Sequence, residues 1–333
     1  MTKKLKSIED IARLAGVSKS TVSRALNGST LVGADTMSRI LAIAKEHDFQ
    51  PSYAARNLSL STSRTVGFVM DTDPKHGCAG QDLFSLEILG GISVGLHELG
   101  YDLLVLQVEP NAIDWASSYL DSGRVDGFII MASVWKRRRL DALLAMGAPF
   151  VAWEPGRAGY CSVCGDDRKG GRLAVERLAS IGRQRIAFLG GYRGELEVSL
   201  RLEGYAEAME SAGLDPKALV AYGDCSERGA AREVKKLLEK DPELDGIFAN
   251  NDVMAIAAMR KLGELGKRVP QDVAVIGYDG LSMAAYTAPP LTTISQRIPE
   301  AGRMLARDLV VFLENGVITN TVMPVELIVR DSA

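Results

Sequence analysis

Apolar residues in the first fifty positions recur at helical spacing. Ile8, Ile11, Ala12 and Ala15 stand at i, i+3, i+4 and i+7, which predicts one buried face of a short helix. Ser7 supplies its N-cap with Asp10 three residues on, and Gly16 ends it in the left-handed conformation that other residues resist. Ser18 then caps a second helix, with Val17 and Val22 at the two positions of a hydrophobic staple and Val22, Ala25 and Leu26 as its inner face. Met37, Ile40, Leu41 and Ala44 predict a third helix, from near Gly33 to around Asp48, and Phe49 and Pro51 close the globule. Two short helices joined by a glycine turn make a helix-turn-helix.

From Thr65 the pattern changes to short apolar runs alternating with amphipathic segments. Val66–Met70, Asp102–Leu106, Gly127–Met131 and Pro149–Trp153 read as strands, with a helix over Ser85–Leu99 among the segments between them. A second series follows in Arg185–Leu189, Gly246–Asn250 and Val273–Gly277, alternating with helices such as Ser199–Ala212 and Val253–Leu265. Such runs suit central strands of parallel sheets covered by helices on both faces. The fold class is therefore α/β behind a three-helix headpiece, and 333 residues suit two or three domains.

Charge changes this picture. Residues 1–64 hold ten Lys/Arg against five Asp/Glu, a net +5, which leaves −8 for the remainder of a chain whose total is −3. A basic module on an acidic body concentrates phosphate attraction at one end. No apolar run reaches the ~18 residues of a membrane span, and Met1–Lys6 does not open a signal peptide, so a cytoplasmic protein without a membrane partner is expected. Cys161 and Cys164 fall at i and i+3 of a strand, on opposite faces, and His47, His76 and His97 form no ligand motif, so neither a metal nor a cofactor is expected. Lys136–Arg139 reads as a solvated surface turn in preference to an anion site. The chain has no glycine-rich phosphate loop and no nucleophile with its base, which argues against an enzyme.

The outer face of the second helix carries Lys19, Ser20, Ser23 and Arg24, all hydrogen-bond donors. In a helix-turn-helix these enter the major groove, where Arg or Lys donates to guanine; the bland alternative is a packing module whose charges face water. Ser7–Ser18 followed by Thr21–Gly28 resembles the headpiece of the lactose-repressor (LacI/GalR) family of bacterial regulators, and the resemblance runs through nearly the whole chain. It implies DNA contacts from Ser18, Lys19, Ser20, Thr21, Ser23, Arg24 and Asn27, and from Tyr53, Ala55, Arg56 and Leu58 of a hinge helix whose leucine wedges between base pairs. Ser59 stands where some relatives carry a basic residue.

The resemblance also implies a two-lobed core like the periplasmic sugar-binding proteins. Its expected organisation is a headpiece over 1–50, a hinge and linker over 51–64 and a core over 65–333, with a first lobe at 65–165 and 296–321 and a second at 166–295 and 322–333. A small-molecule effector, a sugar by its chemistry, would lie between the lobes, beyond the carboxyl ends of the strands. Asp166, Arg201, Phe248, Asn251 and Asp279 are candidates at or near strand ends, and Phe84 and Trp153 are candidate apolar faces. Of these, Arg201, Asn251 and Asp279 match effector-binding positions of the family; Asp252 reads as the cap of the following helix, and Cys225 replaces an aromatic that relatives place against their ligand. Palindromic operator DNA and a second copy of the chain are the implied partners. A nucleobase or a phosphoprotein is the alternative effector, and a transport-type sugar-binding protein is disfavoured by the headpiece.

Overall fold

The computed structural model describes residues 7–26, 29–49, 62–71, 83–108, 114–131, 137–156, 159–217 and 219–333. Asn27 and the hinge residues Tyr53, Ala55, Arg56 and Leu58 lie outside them. Contacts divide the chain between Ser63 and Arg64 into a headpiece and a core.

The headpiece consists of α1 (Ile8–Ala15), α2 (Lys19–Leu26) and α3 (Ala34–Glu46). Ser7 Oγ accepts from the Asp10 amide at 3.3 Å, satisfying one orphan donor of the first turn. Gly16 closes α1 at φ 63°, ψ 35°, so the chain reverses into α2 within two residues. Ile11, Val22 and Ile40, one from each helix, are fully buried and meet Ala12, Ala15, Ala25 and Ala44, with Val17 and Phe49 packed on the same cluster. Three short helices that are each too short to persist alone thus share one core.

The core begins with β1 (Thr65–Asp71), α4 (Leu83–Glu98), β2 (Asp102–Val108), α5 (Trp115–Asp121), β3 (Gly127–Met131), α6 (Arg137–Met146), β4 (Phe150–Trp153) and β5 (Cys161–Gly165). It continues through α7 (Asp167–Ser180), β6 (Ile186–Gly190), α8 (Leu196–Ser211), β7 (Val220–Tyr222), α9 (Glu227–Lys240), β8 (Gly246–Ala249), α10 (Asp252–Glu264) and β9 (Ala274–Asp279). A 3-10 turn (Ser282–Tyr286), β10 (Thr292–Ser295), α11 (Ile298–Asn315), β11 (Asn320–Met323) and β12 (Glu326–Ile328) complete it. The strands form two sheets in the orders β11-β5-β4-β3-β1-β2 and β12-β10-β9-β8-β6-β7. Every pairing is parallel except β10 with β12. Strands β3, β5, β6, β8 and β9 are buried along their whole length because helices cover both faces, and β3, β6 and β8 accordingly read as unbroken apolar runs.

The chain passes between lobes three times. It leaves the first after Gly165, returns between Ser295 and Ile298, and leaves again between Met323 and Glu326. The last passage is later than the expected 321/322, because Val322 and Met323 stay in the first sheet opposite Cys164 and Gly165. A second correction concerns the basic run. Arg137–Arg139 opens α6 and is not a surface turn: Leu140 and Leu143 bury one helical face, while Arg139 is buried and donates from Nη2 to the Val108 carbonyl at 3.4 Å. The guanidinium thus serves a strand-end carbonyl that the sequence pattern could not pair with it. Cys161 lies in the first lobe's core, and burial pushes the Cys164 thiol up to about 12, which makes Cys164 a poor nucleophile. Among the described residues no group of three His, Cys, Asp or Glu is placed to hold a metal, and no helix is long and apolar enough to cross a membrane.

Candidate DNA-reading face and effector site

Ser18 Oγ accepts from the Thr21 amide at 3.1 Å, so the turn before α2 is organised by the cap that its sequence suggests. The same hydroxyl lies 2.8 Å from Ser20 Oγ and 2.8 Å from Thr21 Oγ1. Because Val22 and Ala25 face the core, Ser18, Lys19, Ser20 and Arg24 are left exposed, with Thr21 and Ser23 half-buried beside them. Lys19 pairs with Glu9 of α1, an exposed contact of little worth that a phosphate would readily replace. The face offers hydroxyls, one ammonium and one guanidinium on the first two turns of a helix, the donor set of a major-groove reader.

In the core, the second lobe gathers its polar groups beyond the carboxyl ends of its strands. Helices α7 and α8 approach so closely that a Cβ on Gly204 would lie 1.9 Å from the Arg168 carbonyl oxygen, and one on Gly171 2.1 Å from that of Arg201. That contact brings Arg201 of α8 against Asp167 of α7. Nε donates to Asp167 Oδ1 at 2.8 Å, Nη1 donates to the Asn250 carbonyl at 2.6 Å, and the guanidinium carbon lies 3.7 Å from the centre of the Tyr278 ring. Burial opposes the charge on Arg201, but Asp167, Tyr278 and Asp279 outweigh it and hold the guanidinium firmly protonated.

Asp279 ends β9 at φ 116°, a left-handed conformation that costs a non-glycine residue free energy. Its Oδ1 accepts from Gln296 Nε2 at 2.9 Å, and its carbonyl accepts from the Gln296 amide at 3.0 Å. The neighbouring turn is pinned from below by Asp252, which is fully buried: Oδ2 accepts from the Leu281 amide at 2.7 Å and Oδ1 from Thr293 Oγ1 at 2.6 Å. Burial raises the Asp252 carboxyl to about 7 against those hydrogen bonds, which favour its charged form. From the same turn Leu281 enters the first lobe's core, and Ser282 donates to Glu87 of α4 from its amide at 2.9 Å and its hydroxyl at 3.2 Å. One short segment therefore carries a site carboxylate and a contact that joins the lobes. It also borders a pocket of ≈ 480 Å³ whose walls include Glu87, Ser282, Ser295, Arg297 and Glu326.

Three expected site residues have roles in the fold itself. Asp166 caps α7, accepting from the Lys169 amide at 3.1 Å, and Asn251, not Asp252, caps α10, accepting from the Met254 amide at 2.8 Å. Phe248 is fully buried among Phe188, Tyr205 and Tyr278, so it presents no face to a ligand. Arg201 and Asp279 lie close enough for the Asp279 carboxylate to favour the charge on Arg201. Phe84 and Trp153, from the first lobe, pack together with ring centroids 5.5 Å apart, both half-buried. Asp167, Asn250 and Gln296 are buried beside Arg201 and Asp279; Asn250 stands at the strand end where the sequence places cleft candidates, whereas Asp167 and Gln296 are not among the expected residues.

Comparison with known proteins agrees with both halves. Residues 7–52 match the model of the bacterial regulatory proteins of the lacI family, and residues 175–333 that of the periplasmic binding protein-like domain. The transcriptional regulator CelR of Thermobifida fusca is 33% identical over 334 residues, spanning 97% of this chain and 95% of that protein. The repressor PurR of Haemophilus influenzae is 31% identical over 302 residues (89% and 88%), and the ribose operon repressor of Escherichia coli is 31% identical over 304 residues (90% and 90%). A CelR–cellobiose complex superposes with a TM-score of 0.74 at 30% identity, covering 99% of this chain and 100% of that one. The lac repressor dimer bound to operator and an anti-inducer gives 0.82 at 27% identity, covering 99% of each.

Proposed function

The chain belongs to the lacI family of bacterial regulatory proteins, and from that membership we propose that it works as a homodimer on a palindromic operator, in the cytoplasm, under the control of a sugar. As a member of the family it is a DNA-binding repressor controlled by a small effector, and it is not an enzyme. The sugar reading is carried by the buried carboxylate, amide and guanidinium of Asp279, Gln296 and Arg201 at the strand ends of one lobe. Such groups hydrogen-bond adjacent hydroxyls that a closed cleft would otherwise leave unpaired. The half-buried rings of Phe84 and Trp153 on the other lobe add an apolar face. The CelR–cellobiose complex and the ribose operon repressor support the same class; the likeness to PurR keeps a purine as the second reading.

Dimer formation is supported by the lac repressor dimer and by apolar side chains left exposed on one protomer, among them Leu86 and Val94 of α4 and Met283 and Tyr286 of the turn after β9. Ligand control follows from population shift: an effector that binds one lobe arrangement better moves the dimer between states that hold the two headpieces on DNA or release them.

Selection from random DNA tests this reading. It should return a palindrome, and Arg24→Ala should cost ~1–3 kcal/mol on that sequence with relaxed discrimination at one position in each half-site. Recovery of a single unrepeated site would reject the symmetric dimer, and an equal loss on selected and random DNA would make Arg24 a phosphate contact.

A further inference from the structure

The outer face of α2 carries two cations, and their surroundings differ. Lys19 Nζ donates to Glu9 Oε1 of α1, whereas Arg24 has no carboxylate partner among the described residues. The first turn of α1 does not need Glu9. Asp10 stands at the third position after the Ser7 cap, accepts from Ser7 Oγ at 3.1 Å and pairs with Arg13, so that turn already has its cap and a carboxylate to meet the helix dipole. Folding gains little from the Lys19–Glu9 pair either. Its side chains are 66% and 61% exposed, and ion pairs so solvated contribute almost nothing to stability. The effect that remains is to set a carboxylate against an ammonium on the face that meets DNA.

We propose that Glu9 is a specificity-determining residue: it leaves Lys19 free to read a neutral base edge and penalises the same ammonium for settling on a phosphate. The inference rests on the reading that the outer face of α2 enters the major groove. An ammonium has three donors, so Lys19 can keep one on Glu9 while giving another to guanine O6 or N7, which carry no charge. A phosphate competes with Glu9 directly. When it takes the ammonium it displaces Glu9 and leaves that carboxylate unpaired beside the DNA backbone, where like charges repel. The penalty therefore falls on sequence-independent contacts, which supply essentially all binding to random DNA, and spares those that carry sequence. Building a cost against the wrong partner is a general route to specificity. Glu9 thus offsets, at the reading helix, part of the phosphate attraction of residues 1–64, whose net charge is +5.

The test compares the full chain, unaltered and as Glu9→Gln, Lys19→Ala and the double variant, on the DNA selected from random sequence and on unrelated DNA of the same length, across a salt series. Glu9→Gln should bind unrelated DNA roughly 5-fold more tightly per headpiece near ~0.15 M salt and steepen its log–log salt dependence by about 0.9, the yield of one further phosphate contact. Affinity for the selected DNA should rise by less than about 2-fold, so selectivity falls. In the Lys19→Ala background, Glu9→Gln should cause no further loss of selectivity. Equal tightening on both DNAs would make Glu9 a diffuse charge and overturn the proposal, as would a selectivity loss that persists without Lys19. A changed base preference at one position would make Glu9 a reader itself, and a lowered thermal midpoint with intact selectivity would make the pair structural; either result rejects the proposal. If Lys19→Ala weakens binding to both DNAs alike, the base-reading role of Lys19 fails and the inference fails with it. If that loss is confined to the selected DNA while Glu9→Gln keeps full selectivity, the reading of α2 stands and only the role of Glu9 falls.

Discussion

The two lobes have the same strand order and bury different chemistry. Reading each sheet from its late strand, β11-β5-β4-β3-β1-β2 corresponds place by place to β12-β10-β9-β8-β6-β7. Around the strand ends of the second sheet, Asp167, Arg201, Asn250, Asp252, Asp279 and Gln296 are all buried polar groups. From the first lobe comes the Phe84–Trp153 pair. One architecture thus carries polar strand ends in one lobe and an aromatic pair in the other, on the proposed reading a polar reader and an apolar cover, and the difference lies in which side chains follow the strands. The reader requires preorganised partners, since buried polar groups are tolerable only when satisfied. The cover requires only area and shape. Changes in the second lobe should therefore be severe and changes in the first mild.

The largest expected effect is on stability. Arg201→Ala leaves Asp167 charged and buried without its partner, and should lower the stability of the core by about 3–5 kcal/mol, read from denaturant unfolding. A loss below 1 kcal/mol would mean that the pair is solvated in solution and that the two lobes differ less than they do here. Arg201 is for the same reason a poor residue with which to test ligand binding.

Asp252 should give the next effect, and it depends on pH. Its carboxyl is raised by burial to about 7 in the folded protein, above its ordinary value of 3.8, so the folded state binds the extra proton. Its stabilising contribution is complete below the ordinary value and is lost as pH rises through about 7. Asp252→Asn, which keeps an acceptor for the Leu281 amide and offers a donor to Thr293, removes this loss. The variant should gain on the unaltered protein between pH 4 and 7 by at most about 1.4 kcal/mol per pH unit, measured by unfolding at several pH values. Parallel pH profiles would show that Asp252 stays ionised and is held by its two donors alone.

The smallest effect belongs to the cover. Trp153→Ala should weaken sugar binding by ~0.5–1.5 kcal/mol beyond the area it removes, with little change in the stability of the second lobe. A loss as large as that from truncating the polar groups would overturn the division of labour between lobes.

How much of this the sequence discloses depends on whether a feature is local. The caps Ser7 and Ser18, the Gly16 turn and the helical faces of the headpiece are set by neighbours within four residues, and they are legible there. The buried strands stand out as apolar runs, but β7 and β10 do not, because the half-buried Val220–Tyr222 is three residues long and Thr292–Ser295 is polar by composition. The buried threonines are paired at long range, Thr293 to Asp252 and Thr292 to Arg330 and Ala333. The same limit explains the misread cap. Asn251 and Asp252 both suit an N-cap, and only the distant Leu281 and Thr293 recruit Asp252 away from that role. Arg201 and Asp279 are recoverable through family resemblance, and Asn250 through its place at the end of a strand, whereas the partner of Gln296 is set at long range by Asp279, 17 residues before it.

The claim that the second lobe reads the effector and thereby governs DNA binding is tested most directly by one comparison, operator affinity with and without sugar, in the unaltered protein and in Asp279→Ala. Without sugar the two should bind operator alike, since the headpiece is untouched. With sugar the unaltered protein should change its operator affinity, and Asp279→Ala should respond only at concentrations higher by ~5- to 150-fold, the cost of one carboxylate withdrawn from buried hydroxyls. An Asp279→Ala protein that folds, binds operator and responds at the unaltered sugar concentration would contradict the account.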